Sequence, residues 1–330
     1  MSSDTWAQFE QPTLTDDVAK FMSMSHVLAG IRSFDLQQAP TGDPLVNIAV
    51  TASQRPFRRS VAIPKDAAQL LRVSWQTELA ARVGDQLDEP GLRQASLQTL
   101  PVQVYYAIFS AARALTIVAG AAKSSHAHIH NIFQTEHIRR TAGAMEVTIT
   151  GDPELPDACT IKPSICQPDA VNPIESGYAS ADYVWAALRM ARRWQCTRKR
   201  EDWLNDKQNR TRKGTAYKRL PPGARAQIVE SMRPTTMLDF IYELRCATNY
   251  QSIDEYAATV DDRDVLAFHH GLLHLLQIGL QTYETQIALY AGASRLKDQQ
   301  DDWTRRVAGL GSWTTATIEA RMQAITSAIR

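Results

Sequence analysis

The sequence has no run of roughly 20 uninterrupted apolar residues, the length a membrane-spanning helix needs. Its longest apolar stretches, around Val104–Ala122 and Val265–Leu280, are broken by Arg113 and by the adjacent His269 and His270. No membrane partner is therefore expected. The opening Met-Ser-Ser-Asp-Thr-Trp carries neither the basic stretch nor the apolar core of a signal peptide, so a cytoplasmic location is expected. Cysteine is scarce: 4 in 330 residues, with no C-x-x-C pair. Cys159 and Cys166 are separated by a segment containing Pro163, which is not a usual zinc spacing, so reduced thiols are expected. There is no H-E-x-x-H motif, no internal repeat and no low-complexity tract. These absences leave no metal or cofactor to be expected.

What is present is ordinary in bulk and uneven in place. Hydrophobic residues make up 44% and charged residues 22%, the balance of a soluble globular chain. The net charge of +1 conceals a basic block between Arg189 and Arg225. That block holds 13 Lys or Arg against Glu201, Asp202 and Asp206, a local charge of +10 on a body of −9. Arg192, Arg193, Arg198, Lys199, Arg200, Arg210, Arg212 and Lys213 lie in it, with Trp194, Trp203 and Tyr217 interspersed. Basic groups neutralise phosphates and rings stack on unpaired bases, so these eight are candidate RNA contacts. The competing reading is a solvated insertion whose charges face the acidic body.

Hydrophobic spacing predicts a mostly α protein. A first helix is expected over about Asp16–Phe34. Leu45–Thr51 and Ser60–Ile63 are β-branched-rich and read as a short strand pair. Pro64 and Asp66 open a helix carrying Leu70, Leu71, Val73, Trp75 and Leu79. Pro101 starts an alanine-rich helix with Tyr105, Ile108, Ala112, Leu115 and Ala119 on one stripe, ended by Gly120. Ser124 and Ser125 are positioned to cap a helix running from His126 to Ile138. Met145–Thr150 and Cys159–Lys162 read as strands, and Ala179–Trp194 as helix. Pro234 should split the helical stretch Ala226–Arg245. Ser252–Glu255 fits a capping box, and more loosely so does the segment from Thr259 to Asp262. A long apolar helix follows over Asp262–Tyr290, and a last one near Thr314–Ile329.

The chemistry concentrates near Arg245. It shares a helix face with Asn249, and Tyr250 joins them only if the helix ends near Asn249, where the left-handed conformation that Asn tolerates would serve. A guanidinium, an amide and a phenol would then meet at one helix end, suited to gripping a phosphate. The alternative is that Arg245 pairs with an acid such as Glu243 or Asp254. Arg263 with His269 and His270 offers a rival arginine–histidine pair. His126 with His130, and His270 with His274, have zinc-ligand spacing on a helix but no adjoining acid; capping or packing is the competing reading.

YYAIFSAARALTIVAG (Tyr105–Gly120) followed by KSSHAHIHNIF (Lys123–Phe133) resembles the first half of small HEPN domains (higher eukaryotes and prokaryotes nucleotide-binding). YELRCATNYQ (Tyr242–Gln251), followed by a long apolar helix, resembles the second half. The resemblance spans about Asp66–Arg140 and Thr235–Tyr290. It implies an antiparallel four-helix core, divided as 66–140 and 235–292. Residues 1–65 would then be an N-terminal elaboration, 141–234 an inserted, basic and partly β segment, and 293–330 a C-terminal helix. It also implies a homodimer, RNA or a nucleotide as ligand, metal-independent RNA cleavage, and an antitoxin or antiviral-defence partner protein. The site residues it implies are Arg245, Asn249 and Tyr250. The departure is Tyr250, where cleaving members carry histidine. A base works best with a pKa near ambient pH, which histidine has at about 6.5 and tyrosine, at about 10, does not. Cleavage with an unidentified base and a non-cleaving HEPN-fold subunit or scaffold therefore both remain open.

Overall fold

The structure is a computed structural model. It describes residues 17–54, 61–121, 125–155, 159–162, 179–211, 214–221, 223–250, 261–311 and 313–329. Ser124, Cys166, Arg212, Lys213 and the Ser252–Glu255 capping box lie outside the described residues, as do the side chains of Asn249 and Tyr250. The chain is mostly helical, with α1 Asp17–Gln38, α2 Pro44–Ser53, α3 Lys65–Gln86, α4 Pro90–Ser96, α5 Leu100–Val118 and α6 His126–Ile132, which continues as a π turn and a 3₁₀ turn to Arg140. There follow α7 Ala179–Asn205, α8 Ala224–Ser231, α9 Met237–Tyr250, α10 Asp262–Ala291, α11 Ala293–Val307 and α12 Trp313–Ala328.

The strand pair expected near residue 45 is not formed. Asp43 caps α2, its carboxylate accepting from Leu45 N at 2.9 Å, and Pro44 occupies the first turn. Leu45, Ile48, Ala49 and Ala52 then fall on one buried helical stripe. Cap and stripe outweigh the weak β preference of Val46, Ile48 and Val50. Other expected boundaries agree closely. Pro234 separates α8 from α9, Ser125 caps α6 through His128 N, and α3 starts after Pro64. The helix expected to stop at Trp194 runs on through the basic residues to Asn205, and α9 runs through Tyr250 rather than ending at Asn249.

α5 is the central rod, packed against α3, α9 and α10. It is long and apolar enough to cross a membrane, but 72% of that window is buried inside the protein, as in a core helix. α10 crosses α5 closely because Gly279 leaves room for Ile108: a Cβ there would stand 2.7 Å from Ile108 Cδ1. Gly271 does the same against Leu28 of α1, where a Cβ would meet Leu28 Cβ at 2.4 Å. One apolar cluster joins Leu28, Trp75, Ile108, Leu188, Leu244 and Ile325, so the first, inserted and last segments share a core with the helices between them.

A buried ionic knot ties α3, α10 and α12. Arg321, fully buried, donates to both carboxylate oxygens of Glu78 and of Glu284 at 2.7–3.0 Å. Arg82 adds a bond to Glu78 Oε1 at 3.0 Å and Trp75 one to Glu284 Oε1 at 2.8 Å. Burial opposes the charge on Glu78, but Arg321 and Arg82 hold its carboxyl down to about 2.

The small antiparallel sheet has the order β2–β1–β3, with β1 Thr148–Thr150, β2 Thr160–Lys162 and β3 Thr235–Thr236. Ile149 pairs with Ile161 on one side and with Thr235 on the other. β3 leads directly into α9, so the sheet and α7, which packs against α9, fix where α9 begins.

Candidate functional site

The site forms where α5, α6 and α9 meet. Tyr105, Phe109 and Arg113 follow one another at four-residue steps along α5, and Asp239, Tyr242 and Arg245 at three-residue steps along α9, so each set lines one face. Arg245 is 9% exposed. Its guanidinium lies 5.1 Å from the ring centre of Tyr105, 5.6 Å from Tyr106 and 5.0 Å from Tyr242. It donates to Tyr106 Oη at 3.1 Å and to Cys246 Sγ at 3.2 Å. No carboxylate among the described residues pairs with it, and its Nε has no partner among them. Glu243, the acid expected to neutralise it, is gripped in bidentate fashion by Arg198, with one bond at 2.8 Å. Arg198 also covers the Tyr242 ring at 5.3 Å. Three ring faces stabilise the Arg245 cation without consuming its charge.

His126 stands beside this cage. Its ring stacks on Phe109 at 4.1 Å and lies 5.6 Å from the Tyr105 ring. Its Nδ1 is in short contact with Tyr105 Oη, and its Nε2 meets no group among the described residues. Burial first, then the charges of Arg245, His130 and Arg113, lower its proton affinity and keep it neutral. Arg113, like Arg245, pairs with no carboxylate among the described residues, and its Nε is unpartnered. The charges of Arg245 and Arg113, offset by no described carboxylate, thus both act on the His126 imidazole.

Behind His126 runs a buried hydrogen-bonded chain. Tyr105 Oη also approaches His130 Nε2 at 3.5 Å, and His130 Nδ1 donates to Asp239 Oδ1 at 2.7 Å. Asp239 accepts further from Thr236 N at 2.8 Å, Thr236 Oγ1 at 2.9 Å and Arg233 at 2.9 Å. Burial opposes its charge, yet the bond from His130 and the Arg233 cation hold its carboxyl well below the usual range. Burial also pushes the Tyr105 phenol far above its usual value, so it stays protonated.

The basic block divides by position. Arg192 is 1% exposed and donates to Gly151 O at 2.6 Å, Arg233 O at 3.1 Å and Thr235 Oγ1 at 3.2 Å. That corrects its reading as an RNA contact: its donors hold the sheet in place. Arg189 is likewise spent inside the fold, on Pro153 O, while the exposed Arg225 pairs with Asp152 at the surface. Arg193 faces Glu154 at 3.5 Å and Arg198 serves Glu243. Lys199 and Arg200 are exposed on α7, and Arg210 is half-buried in a bridge to Ala216.

The rival pair is not assembled. Arg263 is exposed at the start of α10, His269 is bound to Ser96 and Arg93 O, and His270 faces Asp85. His274 faces Asp35 at 2.7 Å. Among the described residues no group of three or more His, Cys, Asp or Glu is arranged to hold a metal. Sequence reasoning singled out Arg245 but missed Tyr105, Tyr106 and Tyr242 as its neighbours, and Arg113 and Asp239 as parts of the same cluster. The signal was there in the helical spacing of Tyr105–Phe109–Arg113 and Asp239–Tyr242–Arg245. Only packing tells which stripe meets which. No family model, curated protein or solved structure matches the chain.

Proposed function

We propose that the protein binds a phosphate of RNA or of a nucleotide between Arg245 and Arg113, as a HEPN-like member of a toxin–antitoxin or antiviral system. The observation that carries this reading is the pair of guanidiniums without carboxylate partners among the described residues, one on α5 and one on α9, whose charges both act on His126. Arginine in a half-dry setting is a strong and directional phosphate ligand. Tyr106, 40% exposed beside Arg245, offers a ring on which a base can stack. The exposed Lys199 and Arg200 would extend contact along a strand of RNA. A homodimer that pairs two such sites, an antitoxin or defence-system partner, and a cytoplasmic setting belong to the same proposal.

The test is titration with inorganic phosphate, followed by the imidazole NMR signals of His126. A bound anion offsets both guanidiniums, so the proton affinity of His126 should rise on saturation in the wild type and not in Arg245→Ala. Unchanged His126 titration in the wild type would sink the proposal.

A second reading is a non-cleaving HEPN-fold subunit that works through protein contacts. The specific observation favouring it is Tyr250 in the position where cleaving members carry histidine.

A further inference from the structure

We propose that His126 is the general base of RNA cleavage at this site, with Tyr105, His130 and Asp239 as the positioning chain behind it. This rests on the phosphate-binding reading and supplies the base that the segment after Arg245 lacks. The histidine comes from α6, more than a hundred residues earlier in the chain, and is brought to the arginine by packing of α6 and α9 on α5.

The hydrogen bonds accommodate the proton arrangement that such a base requires. Asp239 is ionised and takes a proton donor from each neighbour, so His130 donates from Nδ1; in the proposed arrangement its Nε2 is the acceptor. The single Tyr105 hydroxyl proton then points to His130 Nε2, over a contact of 3.5 Å that is long for an unliganded site and has room to tighten. Tyr105 Oη is left to accept from His126 Nδ1. His126 Nε2 is therefore a bare lone pair, facing no described protein group. When it takes a proton, the new charge on the ring is stabilised through Tyr105 and His130 to the Asp239 carboxylate.

The charged and titratable groups around His126 are Tyr105 and Arg113 from α5, His130 from its own helix, and Tyr242 and Arg245 from α9. Burial first, then the two arginines and His130, lower the ring's proton affinity before substrate arrives. A phosphodiester anion beside the arginines offsets their share of that penalty and helps His126 accept a proton. In the step itself, His126 Nε2 takes the proton of a ribose 2′-hydroxyl. The 2′-oxygen bonds to phosphorus and the bond from phosphorus to the 5′-oxygen breaks. The 5′-oxygen takes a proton from water, and the imidazolium returns its proton to the hydroxide so formed. Arg245 and Arg113 stabilise the charge that builds on the phosphoryl oxygens.

The experiment uses the full chain with a fluorescein-labelled oligoribonucleotide and its all-2′-deoxy counterpart. Binding is read by anisotropy and cleavage by gel. The expected result is cleavage of the ribo strand alone. His126→Gln should lower the rate about a hundredfold or more, the usual weight of a general base, with binding changed less than about threefold. Tyr105→Phe should lower the rate and move the acid limb of the pH–rate profile to lower pH, because the imidazolium loses its acceptor. A merely structural tyrosine would leave that limb in place. Equal cleavage by wild type and His126→Gln overturns the assignment, as does binding without cleavage; either leaves phosphate binding standing. Absence of binding by the wild type overturns both.

Discussion

His130 and Asp239 are 109 positions apart, yet His130 Nδ1 donates to Asp239 Oδ1 at 2.7 Å. This bond joins α6 to the first turn of α9, and both partners are almost fully buried. Asp239, in the first turn of α9, also reaches back to Thr236 N and Oγ1 just before the helix. One carboxylate thus fixes a helix start, a histidine tautomer and the position of Arg245 two turns on.

Asp239→Asn should therefore destabilise the fold. The variant leaves Arg233 and His130 facing an uncharged group in a dry setting, a loss of roughly 3–5 kcal/mol. Urea denaturation followed by circular dichroism measures it. A loss under about 1 kcal/mol would show that the chain behind His126 is not built on this charge.

Arg321→Met tests the buried ionic knot separately from the site. Glu78 and Glu284 would each keep a charge without its main partner, again costing roughly 3–5 kcal/mol. The knot lies between α3, α10 and α12, away from Arg245, so phosphate binding by the protein that remains folded should be unchanged. Denaturation and phosphate titration on the same samples separate the two effects.

The pH dependence has a definite sign at Glu146. Burial, then the nearby Asp35, pushes its carboxyl from 4.5 up to about 7. A raised acid keeps its proton in the folded state while the unfolded chain has already released it. Its contribution is therefore neutral below pH 4.5 and grows more unfavourable as pH rises from 4.5 to 7. Glu146→Gln removes this, so stability should rise by up to roughly 3 kcal/mol at pH 8 and change little at pH 4. His137 acts oppositely: burial lowers it from 6.5 to about 3, so it destabilises the fold as pH falls through that window.

Basic residues should separate into two classes. Arg192→Ala removes donors from one buried and two part-buried acceptors and should cost roughly 2–4 kcal/mol of stability. Reversing Lys199 and Arg200 to Glu should leave the melting temperature nearly unchanged, weaken RNA binding and flatten its salt dependence. Unchanged binding and salt slope would confine the RNA reading to the Arg245 pocket.

Much of the fold was legible in local sequence. Proline and glycine positions, apolar stripes and caps such as Ser125 mark where helices begin and end. The error at residues 44–53 came from reading Val46, Ile48 and Val50 as strand formers and overlooking Asp43–Pro44 as a helix start. β3 was not foreseen because two threonines next to Pro234 carry no period. Arg245 was visible as a lone cation in an apolar helix. Its partners were not, because Tyr105, Arg113, His126 and Arg245 lie on three helices whose mutual rotation is set by tertiary packing. Likewise, charge counting flagged the Arg189–Arg225 block but could not say that Arg192 would be spent on backbone carbonyls.

The central claim is that Arg245 is a phosphate ligand, and the most direct measurement is anisotropy titration of a labelled oligoribonucleotide with wild type and Arg245→Ala. The account predicts saturable binding by the wild type, displaced by inorganic phosphate and weakened about tenfold or more in the variant, the weight of one charge-assisted contact. Equal binding by both proteins, or none by the wild type, would contradict it.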